Sequence, residues 1–190
     1  MKVILASRSP RRRELLLQLY PEFEVMSLDV DETLPLGVDI GEGTAELARR
    51  KGEAVARLVG GEALVISSDT LVERDGVALG KPKDERDAHR MLRSLSGREH
   101  NVHTGVAVHY RGRVLSGTAV SRVSFRELTD SEILEYISTG EPMDKAGAYG
   151  IQGLGGRFVS GYTGDFDTIM GLSVSLTGRL CEEITKDDED

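Results

Sequence analysis

One cysteine, no tryptophan, five prolines and 5% aromatic residues are all that this 190-residue chain contains of those types. With Cys181 alone no internal disulfide can form, so a stapled, secreted scaffold is excluded and a cytoplasmic home is expected. No apolar run approaches the roughly 20 residues that a membrane-spanning helix needs. The opening apolar stretch 3–6 is also too short for a signal-peptide core, so a soluble protein with no membrane partner is expected. Positive charge is scarce as well. Lys and Arg number 24 against 32 Asp and Glu, a formal net charge of -8, which argues against the broad basic face that nucleic-acid binding requires. Internal repeats and low-complexity linkers are absent, as is a Gly-x-Gly-x-x-Gly dinucleotide fingerprint after a strand. Gly80-Lys81-Pro82 looks like the end of a phosphate-binding loop but fails the spacing. Three residues separate Gly76 from Gly80 where that motif has four, and Pro82 stands where a hydroxyl would hold magnesium.

What is present suffices for one good core. The chain is 39% hydrophobic, which suits a single domain over 1–190 with two lobes and a frayed acidic tail at 186–190. An anion site is written near its start, where the strand 3–6 runs into Ser7-Arg8-Ser9-Pro10-Arg11-Arg12-Arg13. Ser9 suits a helix N-cap, Pro10 suits the first helical position, and Leu15, Leu16 and Leu19 recur on one face. Cations in a first turn oppose the helix dipole, so several together call for a compensating anion. Arg11 and Arg12 offer planar forks that grip phosphate oxygens in pairs.

Strand and helix signals alternate along the rest. A strand is predicted at 23–28, followed by an acidic loop with Asp29, Asp31 and Glu32. Thr44 is the expected cap of the next helix, whose inward stripe includes Leu47, Val55, Leu58 and Val59. Lys51 falls on that apolar face, either to snorkel to the rim or to reach into a cleft holding phosphate. A buried strand at 63–67 is expected to stop at Ser68-Asp69-Thr70, leaving Asp69 where ligands gather in open α/β sheets. A short hairpin follows about Arg74-Asp75-Gly76, and a long one joins 100–110 to 113–125 about Arg111-Gly112. Helices are predicted at 84–95 and 130–139, the second with a Thr129–Glu132 capping box. His100 and His103 lie three apart in an alternating run, on opposite faces, so shared metal ligation is not expected. The sum is an α/β fold with an elongated, mixed, twisted sheet flanked by helices.

The stretch 141–156 interleaves glycines with Asp144, Lys145, Tyr149 and Gln152. Glycines permit unusual backbone angles and close ligand approach, and the polar side chains supply hydrogen bonds, as in an ordered recognition loop.

Taken together, Leu5-Ala6-Ser7-x-Ser9-Pro10-Arg11-Arg12, Ser68-Asp69-Thr70, Gly80-Lys81-Pro82, Leu95-Ser96-Gly97 with His100, 144–153 and Gly171-Leu172 resemble the Maf family of nucleoside triphosphate pyrophosphatases. The resemblance implies hydrolysis of a nucleoside triphosphate to its monophosphate and pyrophosphate with a divalent metal, Mg2+ or Mn2+. It also implies a Maf/ITPase-like fold of two lobes about a central cleft, and a homodimer. By the same resemblance Asp69 is the proton acceptor for the attacking water. Ser7, Arg12, Lys51 and Lys81 hold the triphosphate, Lys145 adds a phosphate contact, and Glu32, alone or with Asp69, helps place the metal. Arg11, Thr70 and Gln152 match the branch acting on dTTP and UTP; Gln152 offers both donor and acceptor to a pyrimidine edge. Three positions depart from the family pattern. Gly52 replaces alanine, which should loosen its helix, Asp167 replaces asparagine, and Ser173 replaces proline. The alternative is a nucleotide-binding regulator of cell division that does not hydrolyse its ligand.

Overall fold

Val3, Ile4 and Leu5 are an unbroken apolar run, and burial on both faces explains it: all three are buried in β1 (Lys2–Leu5), a strand flanked by parallel neighbours on either side. The computed structural model describes residues 1–186; the predicted tail lies, from Asp187 onward, outside the described residues. Helix α1 (Pro10–Leu16) follows, then β2 (Glu24–Val25), α2 (Ile40–Val59), β3 (Ala63–Arg74), β4 (Val77–Leu79) and α3 (Glu85–Leu95). The long strands β5 (Glu99–Tyr110) and β6 (Arg113–Phe125) precede α4 (Asp130–Ser138) and three 3-10 segments. The chain closes with β7 (Val159–Thr163), α5 (Phe166–Met170) and α6 (Val174–Thr185). The seven-stranded sheet has the order β2-β1-β3-β5-β6-β7, with β4 beside β3. β1 pairs in parallel with β2 and β3, whereas β3–β4 and β6–β7 are antiparallel, so the sheet is mixed, as predicted.

Two compact units make up the chain. The first comprises Met1–Asp69, Thr104–Ala119 and 171–186 of the described residues; the second comprises Thr70–His103 and Val120–Met170. Strands β3, β5 and β6 each contribute residues to both. In the first unit Ile4, Ala6, Val55, Ala63 and Val65 form one buried cluster. The larger core of the second unit gathers Val72, Leu92, Leu95, Phe125, Ile133, Tyr136, Tyr149 and Phe158.

Both hairpins turn where predicted, through Asp75-Gly76 and Arg111-Gly112, whose residues all have positive φ. The capping box at Thr129 and Glu132 is also present. Other expectations are corrected. α2 begins at Ile40, capped by the Asp39 carboxylate, which accepts from the Gly41 and Glu42 amides; Thr44 lies inside the helix and donates to the Ile40 carbonyl. Leu58 faces solvent rather than the core. β2 holds two residues, not six.

β3 does not stop at Ser68 but continues to Arg74. The polar triplet resembles a strand end because such residues favour turns, yet here the serine hydroxyls are satisfied inside the fold. Ser67 donates to the carbonyls of Ala48 and Ala107, and Ser68 to that of Gly171.

Candidate active site

α1 leaves β1 directly, so Ser7 and Arg12 start from the buried end of a parallel strand. Ser9 caps the helix as predicted, its hydroxyl accepting from the Arg12 amide at 3.4 Å, with Pro10 in the first position. The helix has seven residues, so the arginine side chains rather than a long dipole carry the positive charge. Ser7 is buried, and its hydroxyl accepts from the Ser9 amide at 3.2 Å and the Arg12 guanidinium at 3.4 Å. Arg12 is oriented further by Nε donating to the Gly171 carbonyl at 2.8 Å, the same oxygen that accepts from Ser68. Gly171 was recognisable as a glycine in the family pattern, but the use of its carbonyl carries no side-chain signal.

Lys51 settles the choice left open by its position on α2. Its side chain is 15% exposed and turns inward, where Nζ bridges two carboxylates: Asp69 of β3 and, at 2.8 Å, Glu32 of the acidic loop. Asp69 is itself buried, whereas the Glu32 side chain is half exposed. Arg12 senses the same charges. Burial is the largest influence and lowers its pKa; Asp69 and Glu32 pull it back up, and neighbouring Arg11 lowers it further. Ser7, Arg12, Glu32, Lys51 and Asp69, scattered through the sequence, therefore come together in the first unit around a lysine-bridged pair of acids, with Arg11 beside Arg12.

The remaining predicted residues belong to the second unit. Thr70 follows Asp69 along β3, so its side chain projects from the opposite face of the strand. Lys81 is exposed. Lys145 is folded back on its own segment, donating to the Glu141 carbonyl at 2.9 Å and to the Asp144 carboxylate at 2.7 Å. Gln152 stands exposed in the turn before a 3-10 segment at Leu154–Phe158. Tyr149 is corrected: it is buried with its hydroxyl 2.7 Å from His100 Nε2, so it builds the core rather than facing a ligand. Burial drives its pKa well above the usual phenol range.

Among the described residues no group of three or more His, Cys, Asp or Glu side chains could hold a metal ion. The donor set that does fit is the smaller one of Glu32 and Asp69. Their carboxylates already converge on one cation, the Lys51 ammonium, which stands where a hard divalent ion would find two oxygen ligands. Magnesium commonly takes one or two carboxylates and completes its shell with water and phosphate oxygens.

Fold and site together define a mixed α/β protein with a cationic, carboxylate-paired centre suited to a polyphosphate. The chain belongs to the Maf family: the family described as Maf-like protein matches residues 2–184. It is 48% identical over 180 residues to the dTTP/UTP pyrophosphatase of Thermococcus onnurineus, covering 95% of this chain and 96% of that protein. To the dTTP/UTP pyrophosphatase of Chromobacterium violaceum it is 46% identical over 186 residues, covering 96% and 94%. Among solved structures it is similar to the Staphylococcus aureus Ham1 protein, with 17% identity, full coverage of both chains and a TM-score of 0.48.

Proposed function

We propose that this chain is a nucleoside triphosphate pyrophosphatase that hydrolyses dTTP and UTP to the monophosphate and pyrophosphate. The observation that carries the reading is the cluster of Arg12, Lys51, Glu32 and Asp69, found in a chain 46–48% identical to proteins named for that activity. Attack on a polyphosphate calls for charge neutralisation and an oriented water more than for a covalent nucleophile. Arg12, Lys51, Lys81 and Ser7 bind the triphosphate, and Asp69 accepts the proton of the attacking water. Lys145 joins them by exchanging Asp144 for a phosphate oxygen. Glu32 and Asp69 would hold the divalent ion, Mg2+ or Mn2+, which when bound would supply polarisation of the phosphoryl oxygens. With those carboxylates engaged by the ion, the Lys51 ammonium would turn to the phosphates. Arg11, Thr70 and Gln152 select the pyrimidine base, Gln152 through an amide that both donates and accepts.

Assembly as a homodimer and a cytoplasmic location belong to the same reading. No described helix is long and apolar enough to cross a membrane. The relatives are named as pyrophosphatases, so a non-hydrolytic regulator is not favoured.

Incubation with magnesium and dTTP, UTP, CTP, ATP or N7-methylguanosine triphosphate, with separate assays of nucleotide and pyrophosphate, tests the reading. Monophosphate and pyrophosphate from dTTP and UTP support it. Diphosphate with orthophosphate refutes the cleavage position, and tight binding without product revives the regulator.

A further inference from the structure

The amides of Leu154 and Gly155 open the 3-10 segment Leu154–Phe158 and need acceptors, as the first amides of any helical turn do. The residue at the capping position, Gly153, has no side chain to supply one. The acceptor comes instead from Glu141. One carboxylate oxygen accepts from the Leu154 amide at 3.0 Å; the other accepts from the Gly155 amide at 3.1 Å and from the Tyr136 hydroxyl at 2.9 Å. A Cβ at Gly153 would fall on that carboxylate, so glycine is what lets it approach. Tyr136 is fully buried and packs edge-on against Phe158 at 5.0 Å, which fixes the hydroxyl end of the network. Glu141 itself begins a 3-10 segment, with its amide donating to Thr139 and its carbonyl held by Lys145. Burial alone would raise its pKa, but the two amides, Tyr136 and Lys145 outweigh that and lower it.

Gln152 lies immediately before this cap, in the turn closed by the Gly153 amide donating to the Gly150 carbonyl. We propose that Glu141 is a positioning residue for nucleobase selection: its carboxylate caps the segment after Gln152 and so fixes the backbone that presents the Gln152 amide. This rests on the assignment of Gln152 to the base in the pyrophosphatase reading. Asp69, Lys51, Glu32 and Arg12 belong to the other unit, and Lys145 leans on the Glu141 backbone carbonyl, which a side-chain substitution keeps, so the reaction chemistry is left in place when the carboxylate cap is lost.

Steady-state kinetics of Glu141→Gln and Tyr136→Phe with dTTP, UTP and CTP test the proposal, alongside thermal melting. In Glu141→Gln one amide meets an NH2 group in place of an oxygen. The expected result is a KM for dTTP and UTP raised about tenfold, a preference over CTP that collapses toward unity, and kcat within about threefold of the parent. Tyr136→Phe removes one of three donors and should shift the same ratio in the same direction by less. An unchanged preference for dTTP and UTP over CTP in both variants would overturn the proposal, as would an equal loss of kcat on every base. If Glu141→Gln melts before assay, the Tyr136→Phe ratio alone decides. Failure of the parent protein to release pyrophosphate from any nucleotide refutes the activity itself, an outcome separate from these ratios.

Discussion

Asp69 pairs with the Lys51 ammonium and is buried in the middle of a strand, so its neutral isostere can occupy the same space. Asp69→Asn should therefore keep the fold, judged by circular dichroism and melting, while kcat falls about a thousandfold through loss of the proposed proton acceptor. A folded variant with near-parental turnover would remove Asp69 from its role. Gly52 behaves differently from its sequence expectation. The glycine looks like a helix-loosening replacement, yet a Cβ there would meet Ser67 Oγ at 2.5 Å and the His109 ring at 2.6 Å. Ser67 is tied to two carbonyls and cannot simply turn away. Gly52→Ala should thus destabilise by about 1–3 kcal/mol in urea titration, although helix propensity alone predicts a gain. The convergence of single residues was legible where a motif marks them, through charge for Arg12 and Asp69 and through a hydroxyl at the end of the first strand for Ser7. Glu141 and the Gly171 carbonyl were not, because the one meets backbone amides and the other is a backbone group met by the Arg12 and Ser68 side chains, pairings that only the folded chain brings about.

Elements were readable where their ends are chemically marked. Thr129 and Glu132 satisfy each other's backbone amides, Ser9 caps α1, and the two positive-φ turns declare themselves through Asp-Gly and Arg-Gly. α2 was harder because Gly41 and Gly43 dilute its first turn, so Thr44 looked like the start although Asp39 does the capping. The extent of β3 was hidden for the opposite reason: tertiary hydrogen bonds satisfy serines that would otherwise favour a turn. Ser173, which replaces the expected proline, proves to be the cap of α6, its buried hydroxyl accepting from the Leu176 amide at 3.3 Å. Ser173→Ala should cost about 1 kcal/mol of stability by chemical denaturation. Gly and Asn at this position should cost less if capping is the whole effect.

For the molecule as a whole, stability should fall on mild acidification. His100 is buried against Tyr149 and Phe125, and its pKa is lowered from 6.5 to about 4, mainly by burial and then by the charge of Arg74, against a smaller opposing effect of Glu73. Between those values the unfolded chain binds the proton and the folded one does not. The contribution is therefore complete above pH 6.5 and is lost progressively as pH drops toward 4. The full span corresponds to about 3 kcal/mol. His109 is lowered in the same direction by burial and adds to the slope. Urea titrations at pH 7 and pH 4.5 should show this loss, and His100→Gln should flatten it; an unchanged slope would assign the acid sensitivity elsewhere. The Lys51 bridge has a consequence for how the protein is handled. Since an ammonium already reconciles Glu32 with Asp69, the folded state needs no divalent ion to relieve repulsion between them, and chelators should leave its melting temperature unchanged. In Lys51→Met that internal counterion is gone, and added magnesium should raise the melting temperature more steeply than in the parent, because the lysine supplies at this pair of acids the charge that a divalent ion would otherwise supply.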